Sequence, residues 1–299
     1  MTRKGWLLFT VMSVLWGIPY LFVKIAVRQL DPTVVVFARV GVAAAVLMPL
    51  ALQRGALQQL RGRWLAITAL SFVQIAGPFL LISFGEQHIA SSLTRLLIAT
   101  EPLLVALLAL RFDSGEQVRG LRLIGLLIGM AGVVVLLGLD VSGDGQKLFG
   151  AVLVLLAAAG YATGALFVKR PTFASISSLS VVAAECAVAA TALAPLAVTR
   201  LPDSIPDLEV IVSVIVLGLI CTALAYLSFF ALVAEVGASR GTVFTYANPV
   251  VSVLLGVILL GESLDVANVV GFLLIIIGSW LSTGGMLPRV GKLLRLLLD

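Results

Sequence analysis

The side chains that could do chemistry in this chain are polar or charged groups set inside long apolar runs. Glu101 lies near the middle of the run at 91–110, beside Pro102, and Asn248 stands beside Pro249 in the run at 240–260. A charge held in hydrocarbon costs about 2.5–3.5 kcal/mol on insertion scales, so each instance needs a reason. Glu101 could contact an amine or carry a transferable proton, and a structural carboxylate bonded to a neighbouring helix is the plain alternative. Each proline frees a carbonyl one turn back, and the resulting kink lets polar backbone line a cavity. Arg95 could hold a carboxylate, counter Glu101, or snorkel to the nearer surface. Six residues separate them, about 240° on an ideal helix, so a direct pair requires the kink to realign them.

Two further charges sit inside apolar runs. Arg39 and Glu185 are 146 residues apart and would form a tempting pair. Their places along their runs put their backbones roughly 10 Å apart in depth, which argues for separate roles. Arg39 reads as structural, and Glu185 as a second candidate for proton coupling. Trp16, Tyr20, Gln74, Tyr161, Tyr226 and Tyr246 complete the candidate set. Trp16, Tyr161 and Tyr226 are deeper than an interfacial belt would place them. They could face an amphipathic or aromatic solute through cation–π contacts, or simply pack. Lys24 and Lys169 read as ends of helices, with gate roles open.

These residues need elements that put them at depth. Of the 299 residues, 61% are hydrophobic and 12% charged, and mean hydropathy is +1.15. A fold in water would expose much of that apolar surface, so the solvent is lipid. Runs at 5–25, 33–53, 64–84, 91–110, 121–139, 148–168, 178–199, 209–231, 240–260 and 267–285 are each about long enough to span as a helix. Arg3 and Lys4 before the first run suggest a signal peptide, but the run from Gly5 to Val23 is long enough to span and no small-residue cleavage site follows it. It reads as a retained helix.

Outside segments hold Lys24, Arg28, Lys147 and Arg200, and Arg39 and Arg95 lie within spans. The other fourteen of the 20 cations fall on the opposite side. Both termini are therefore expected in the cytoplasm, in a multi-pass protein of the cell's inner membrane. The net charge of +5 reflects that orientation rather than a nucleic-acid partner. The tail at 286–299 alternates Arg289, Lys292 and Arg295 with leucines and reads as an amphipathic interfacial helix.

Leu21-Phe22-Val23-Lys24, closing the first run, returns as Leu166-Phe167-Val168-Lys169, closing the sixth. Other features recur at offsets of 145 to 147: Trp16 with Tyr161, Glu101-Pro102 with Asn248-Pro249, Gly115-Glu116 with Gly261-Glu262, and Gly125 and Gly132 with Gly271 and Gly278. Two five-helix units follow, residues 1–140 and 141–285. An odd number of spans forces the second to insert upside down. The expected fold is an all-α membrane protein of ten transmembrane helices in two inverted repeats, with mid-depth repeat partners near a central axis. The paired glycines lie on one face of spans five and ten, which read as packing or dimer-facing elements.

The chain resembles the drug/metabolite transporter superfamily, specifically its ten-helix EamA-type members, over nearly all of residues 5–285. The resemblance rests on the doubled unit, Trp16-Gly17, Arg39 after Pro32 and Phe37, and a span-four proline followed by Gly-Glu. Span nine repeats that pattern as Asn248-Pro249 and Leu260-Gly261-Glu262. The first copy departs from it, with Arg111-Phe112-Asp113-Ser114 in place of the apolar lead into Gly-Glu. The resemblance implies a secondary transporter, often an exporter of amino acids or other small metabolites.

No phosphate loop, dinucleotide fingerprint or zinc-protease motif is present, and His88 is the single histidine, so neither an enzyme nor a cofactor is expected. Cys186 and Cys221 read as small buried hydrophobes. The expected partners are a small-molecule substrate, the lipid bilayer and protons, with a homodimer open. Amino-acid export by alternating access is the leading expectation. An exchanger of phosphorylated metabolites or nucleotide sugars would need several cations at mid-depth. A channel would lack saturation, and a non-transporting subunit would carry no flux.

Overall fold

The computed structural model describes residues 2–112, 121–140, 144–237, 245, 247–263 and 265–282. Tyr246, the Gly115-Glu116 pair and the 286–299 tail lie outside the described residues. Among the described residues all regular structure is helical. Among the described residues, seven helical stretches are long and apolar enough to cross a membrane: Arg3–Ala26, Pro32–Gln53, Trp64–Gly85, Ser91–Leu108, Gly145–Phe167, Ser178–Val198 and Leu208–Val236. Shorter apolar helices cover Leu121–Leu137, Asn248–Leu260 and Val266–Ser282.

Several stretches are broken, and the breaks have chemical causes. The first divides into α1 (Arg3–Leu15) and α2 (Pro19–Ala26). Pro19 cannot donate back into the preceding turn, and Gly17 lies where a Cβ would stand 2.7 Å from Val251. α3 (Pro32–Gln53) begins at an Asp31 cap that accepts from Thr33 N at 2.8 Å. The third stretch is α4 (Trp64–Ser71), a π-helical segment over Phe72–Ala76, and α5 (Gly77–Gly85). The fourth is α6 (Ser91–Ile98) and α7 (Glu101–Phe112), parted at Ala99 and Thr100, with Pro102 in the first turn of α7.

α8 (Leu121–Asp140), α9 (Gly145–Phe167), the short α10 (Pro171–Ala174) and α11 (Ser178–Val198) follow. α12 (Leu208–Gly218) leads through a second π-helical segment, Leu219–Leu224, into α13 (Ala225–Val236). α14 (Asn248–Leu260) and α15 (Val266–Ser282) complete the described helices.

Packing relies on small residues, because lipid tails are as apolar as leucine and close approach supplies the attraction. α3 packs along α11, with Ala43, Ala51, Ala183 and Ala189 fully buried in that region. α8 packs along α15 through its glycines: a Cβ on Gly132 would meet Gly271 O at 2.7 Å, and one on Gly278 would strike the Gly129 backbone. The glycine faces are thus consumed inside the chain, as packing surfaces. Leu127 and Val134 of α8, and Val266 and Leu273 of α15, remain exposed outside them. α6 also packs on α14, α1 on α13, α2 on α12, and α5 on α9.

Polar contacts between loops fall into two sets. One joins Asp31 to Arg200 (3.0 Å), Gln29 to Asp207, and Lys24 to the carbonyls of Glu86 and Ile89. The other joins Ser177 N to Gln59 Oε1 (2.7 Å), and Thr2 and Lys4 to Glu235. Chain connectivity puts the first set at the far ends of α2 and α5 and the second at the opposite ends.

Candidate functional site

Polar side chains gather at and near the helix breaks. Opening α6 into α7 frees carbonyls that local hydroxyls partly satisfy, and Thr100 Oγ1 donates to Leu97 O at 2.7 Å. The second π segment is handled the same way, with Thr222 Oγ1 donating to Leu217 O at 2.8 Å. Thr222 also accepts from Arg39 Nε at 3.0 Å, and the Arg39 guanidinium lies 3.7 Å from the Phe79 ring centroid. Arg39 is therefore pinned between the third and eighth apolar stretches. It makes no ion pair with Glu185 among the described residues.

Arg95 is 6% exposed, deep in α6. Its guanidinium reaches Tyr20 Oη at 3.5 Å and Thr245 O at 3.3 Å, both long contacts, and its Nε has no partner. Glu101, half-buried, lies within electrostatic reach of Arg95 but beyond ion-pair distance. The break at Ala99–Thr100 does not bring the two charges into a direct pair. Tyr161 of α9, also half-buried, is within electrostatic reach of Tyr20, Arg39, Tyr226 and Glu101.

Trp16, at the break between α1 and α2, meets Tyr226 edge-on at 5.5 Å and Phe229 at 5.3 Å. Gln74, in the first π segment, packs against Gly164, where a Cβ would stand 2.9 Å from its own Cβ, and Gln74 Oε1 is buried without a partner. Asn248 is buried at the start of α14. The structure thus gathers Tyr20, Arg95, Glu101, Tyr161 and Tyr226, with Trp16 edge-on to Tyr226.

Glu185 stands at the margin. It is 1% exposed and its Oε1 has no partner. Its electrostatic contact with this group runs through Tyr226, and its backbone carbonyl accepts from Ser71 Oγ at 2.7 Å. Arg39, read from sequence as structural, is anchored as a structural residue would be, yet reaches Tyr20, Tyr161 and Tyr226 electrostatically. Its intramembrane charge was the signal for that.

One feature of the rim escaped the sequence. Gly261 adopts φ +66°, ending α14 in a left-handed turn that lets Glu262 N return to Gly256 O at 3.1 Å. That turn aims the Glu262 carboxylate at the start of α6, where it accepts from Ser91 N (2.8 Å), Ser91 Oγ (2.9 Å) and Ser92 N (3.0 Å). A carboxylate here satisfies orphan donors and complements the helix dipole. Burial pushes its pKa up, but the Ser91 and Ser92 hydrogen bonds outweigh burial and hold it below the usual carboxylate range.

An isolated cation, a carboxylate and a tyrosine-rich wall, held at helix breaks among many apolar helices, define the class as a multi-pass membrane transporter. The EamA-like transporter family model matches the chain twice, over residues 3–138 and 148–284, and the chain belongs to that family. An uncharacterized transporter of Archaeoglobus fulgidus is 26% identical over 285 residues, 93% of this chain and 98% of the relative. The uncharacterized inner membrane transporter YedA of Escherichia coli K12 is 27% identical over 254 residues, covering 84% and 81%. A protein of the same organism named as a probable amino-acid metabolite efflux pump is 26% identical over 296 residues, covering 96% and 97%. A solved crystal structure shares the fold with a TM-score of 0.66 at 23% identity, covering 95% of this chain and 97% of that one.

Proposed function

We propose that the chain exports amino acids or closely related metabolites by alternating access, in the inner membrane with both termini cytoplasmic. In this reading two five-helix halves, residues 1–140 and 141–285, are related by an inverted pseudo-twofold axis. Three observations support the repeat. The family model fits once per half. The two π-helical segments, Phe72–Ala76 and Leu219–Leu224, start 147 residues apart. The packing pairs map onto themselves when each span is exchanged for the one five later. Spans two with seven, four with nine and five with ten are self-paired, while one with eight exchanges with six and three.

The observation that carries the cargo is Arg95, with long contacts and an unpartnered Nε, in electrostatic reach of Glu101 within a tyrosine-rich wall. An amino acid presents a carboxylate for Arg95, an ammonium for Glu101 or an aromatic face, and an apolar remainder. A relative's name as an amino-acid metabolite efflux pump agrees. An exchanger of phosphorylated metabolites would need more free cations, and Arg39 is engaged by Thr222 and Phe79.

Purified protein in liposomes, given a panel of labelled amino acids and metabolites with and without a pH gradient, tests this. Saturable counterflow of an amino acid is expected, and Glu101→Gln should abolish its response to the gradient. Unsaturable flux would mean a channel, absence of flux would overturn the reading, and a full pH response in the Gln variant would remove Glu101 from coupling.

A further inference from the structure

Glu86 was unremarkable in the sequence, a loop residue after an apolar run. In the structure it is 0% exposed, at the C-terminal end of α5, and neither carboxylate oxygen has a hydrogen-bond partner. The adjacent Thr94 hydroxyl is committed to Ala90 O at 3.1 Å. Lys24 spends its ammonium on the backbone instead, donating to the carbonyls of Glu86 and Ile89, the latter at 2.7 Å. Beside them is a cavity of about 220 Å³ lined by Lys24, Val27, Arg28, Glu86 and Gln87. Glu262, which caps α6, lies within electrostatic reach of both Lys24 and Glu86. One lysine and two glutamates therefore tie α2, α5, α6 and α14 together at one end of the molecule.

We infer that Glu86 is a proton-binding site controlling the opening of this end, with Lys24 and Glu262 as the latch around it. The inference rests on the transporter reading above and adds a site outside the central group. The charged and titratable groups facing Glu86 are Lys24 and Tyr20 from α2, Arg28 just after it, Arg39 from α3 and Glu262 after α14, with His88 on its own loop. Burial raises its pKa and Glu262 adds to the rise, against the opposing pull of Lys24, Arg39 and Thr94. The direction agrees with the geometry, since an unpartnered buried carboxylate is held most cheaply as the neutral acid. Closing this end buries the acid with its proton. Opening hydrates it and releases the proton, so the sign is fixed: alkaline pH favours opening and acid pH favours closure.

The test is a spin-label distance between Gln87→Cys, after α5, and Ser263→Cys, after α14, in the purified full chain with Cys186 and Cys221 replaced by alanine. Both labelled positions are exposed. Raising the pH from 5.5 to 8 should increase the ratio of long to short distances roughly tenfold, within the usual range for a coupled site. Glu86→Gln should hold the short distance at every pH, and His88→Gln should keep the wild-type response. If the Gln variant fails to fold, Glu86→Asp should keep a pH response with a displaced midpoint.

A wild-type distance indifferent to pH would overturn the proposal. So would a response kept in Glu86→Gln or lost only in His88→Gln. The readout needs no cargo. A pH-dependent distance without flux would leave the latch standing and sink the transporter reading, and saturable flux with a fixed distance would do the reverse.

Discussion

In the proposed function, recognition of a carboxylate turns on Arg95, because the protein satisfies that guanidinium incompletely. Its contacts to Tyr20 and Thr245 are long and its Nε is unpartnered, so a bound carboxylate would supply what the fold withholds. Arg95→Gln should raise the KM for an amino acid by roughly 30-fold, about 2 kcal/mol of charge-assisted hydrogen bonding. Arg95→Lys should recover part of it, since an ammonium keeps the charge and loses the planar fork. Concentration dependence of counterflow in liposomes measures both. Arg95 and Glu101 were legible in the sequence because a charge inside an apolar run has no bland explanation. Glu86 was not, because a loop glutamate reads as solvated until the packing of four helices over it is known. Lys24, read as a helix end, proves to be one that also holds its neighbours' carbonyls.

At the scale of elements, the Gly-Glu pair after α14 shows how a motif can be recognised before its purpose is. Gly261 and Glu262 marked a family pattern, but sequence offered no reason for the glutamate. The reason is a long-range contact within the chain: Glu262 caps α6 at Ser91, 171 residues earlier. Glu262→Gln should lower stability by about 1–2 kcal/mol near neutral pH through weakened hydrogen bonds to Ser91 and Ser92. Because the folded pKa is depressed, the stabilisation is present above the ordinary carboxylate range and lost as pH falls through the folded value. The gap between wild type and variant in thermal unfolding should therefore narrow as pH falls below the ordinary carboxylate range. Element boundaries were mostly legible, since hydropathy sets them. The breaks at Pro19 and Pro102 were foreshadowed by proline chemistry. The π segments were not, because neither contains a proline, although Pro78 follows the first.

For the whole molecule, the α8–α15 pair joins two helices that are far apart in sequence. Gly278 is in near contact with the Gly125 and Gly129 backbone. Gly278→Leu should destabilise the chain by about 2 kcal/mol or more through overpacking, read as earlier thermal unfolding in detergent. Its oligomeric state, measured by light scattering, should not change, because the stripe faces inward. The proposed doubling starts from Leu21-Phe22-Val23-Lys24 and its later echo, and the family model's two matches support it. The pairing of helices was not legible in the sequence, since repeats fix which elements are equivalent and leave open which ones touch.

The two π-helical segments carry a consequence of their own. A π turn holds one residue more than the α turn it replaces, so it behaves like a dislocation in a crystal: a localised fault that can glide. If it moves along the helix, each residue it passes turns by about 100°. The backbone stays bonded throughout, which matters where no water can replace a lost partner. Placed at matching points of two helices, such faults would let each turn its polar face toward or away from the centre while remaining a helix to the lipid outside.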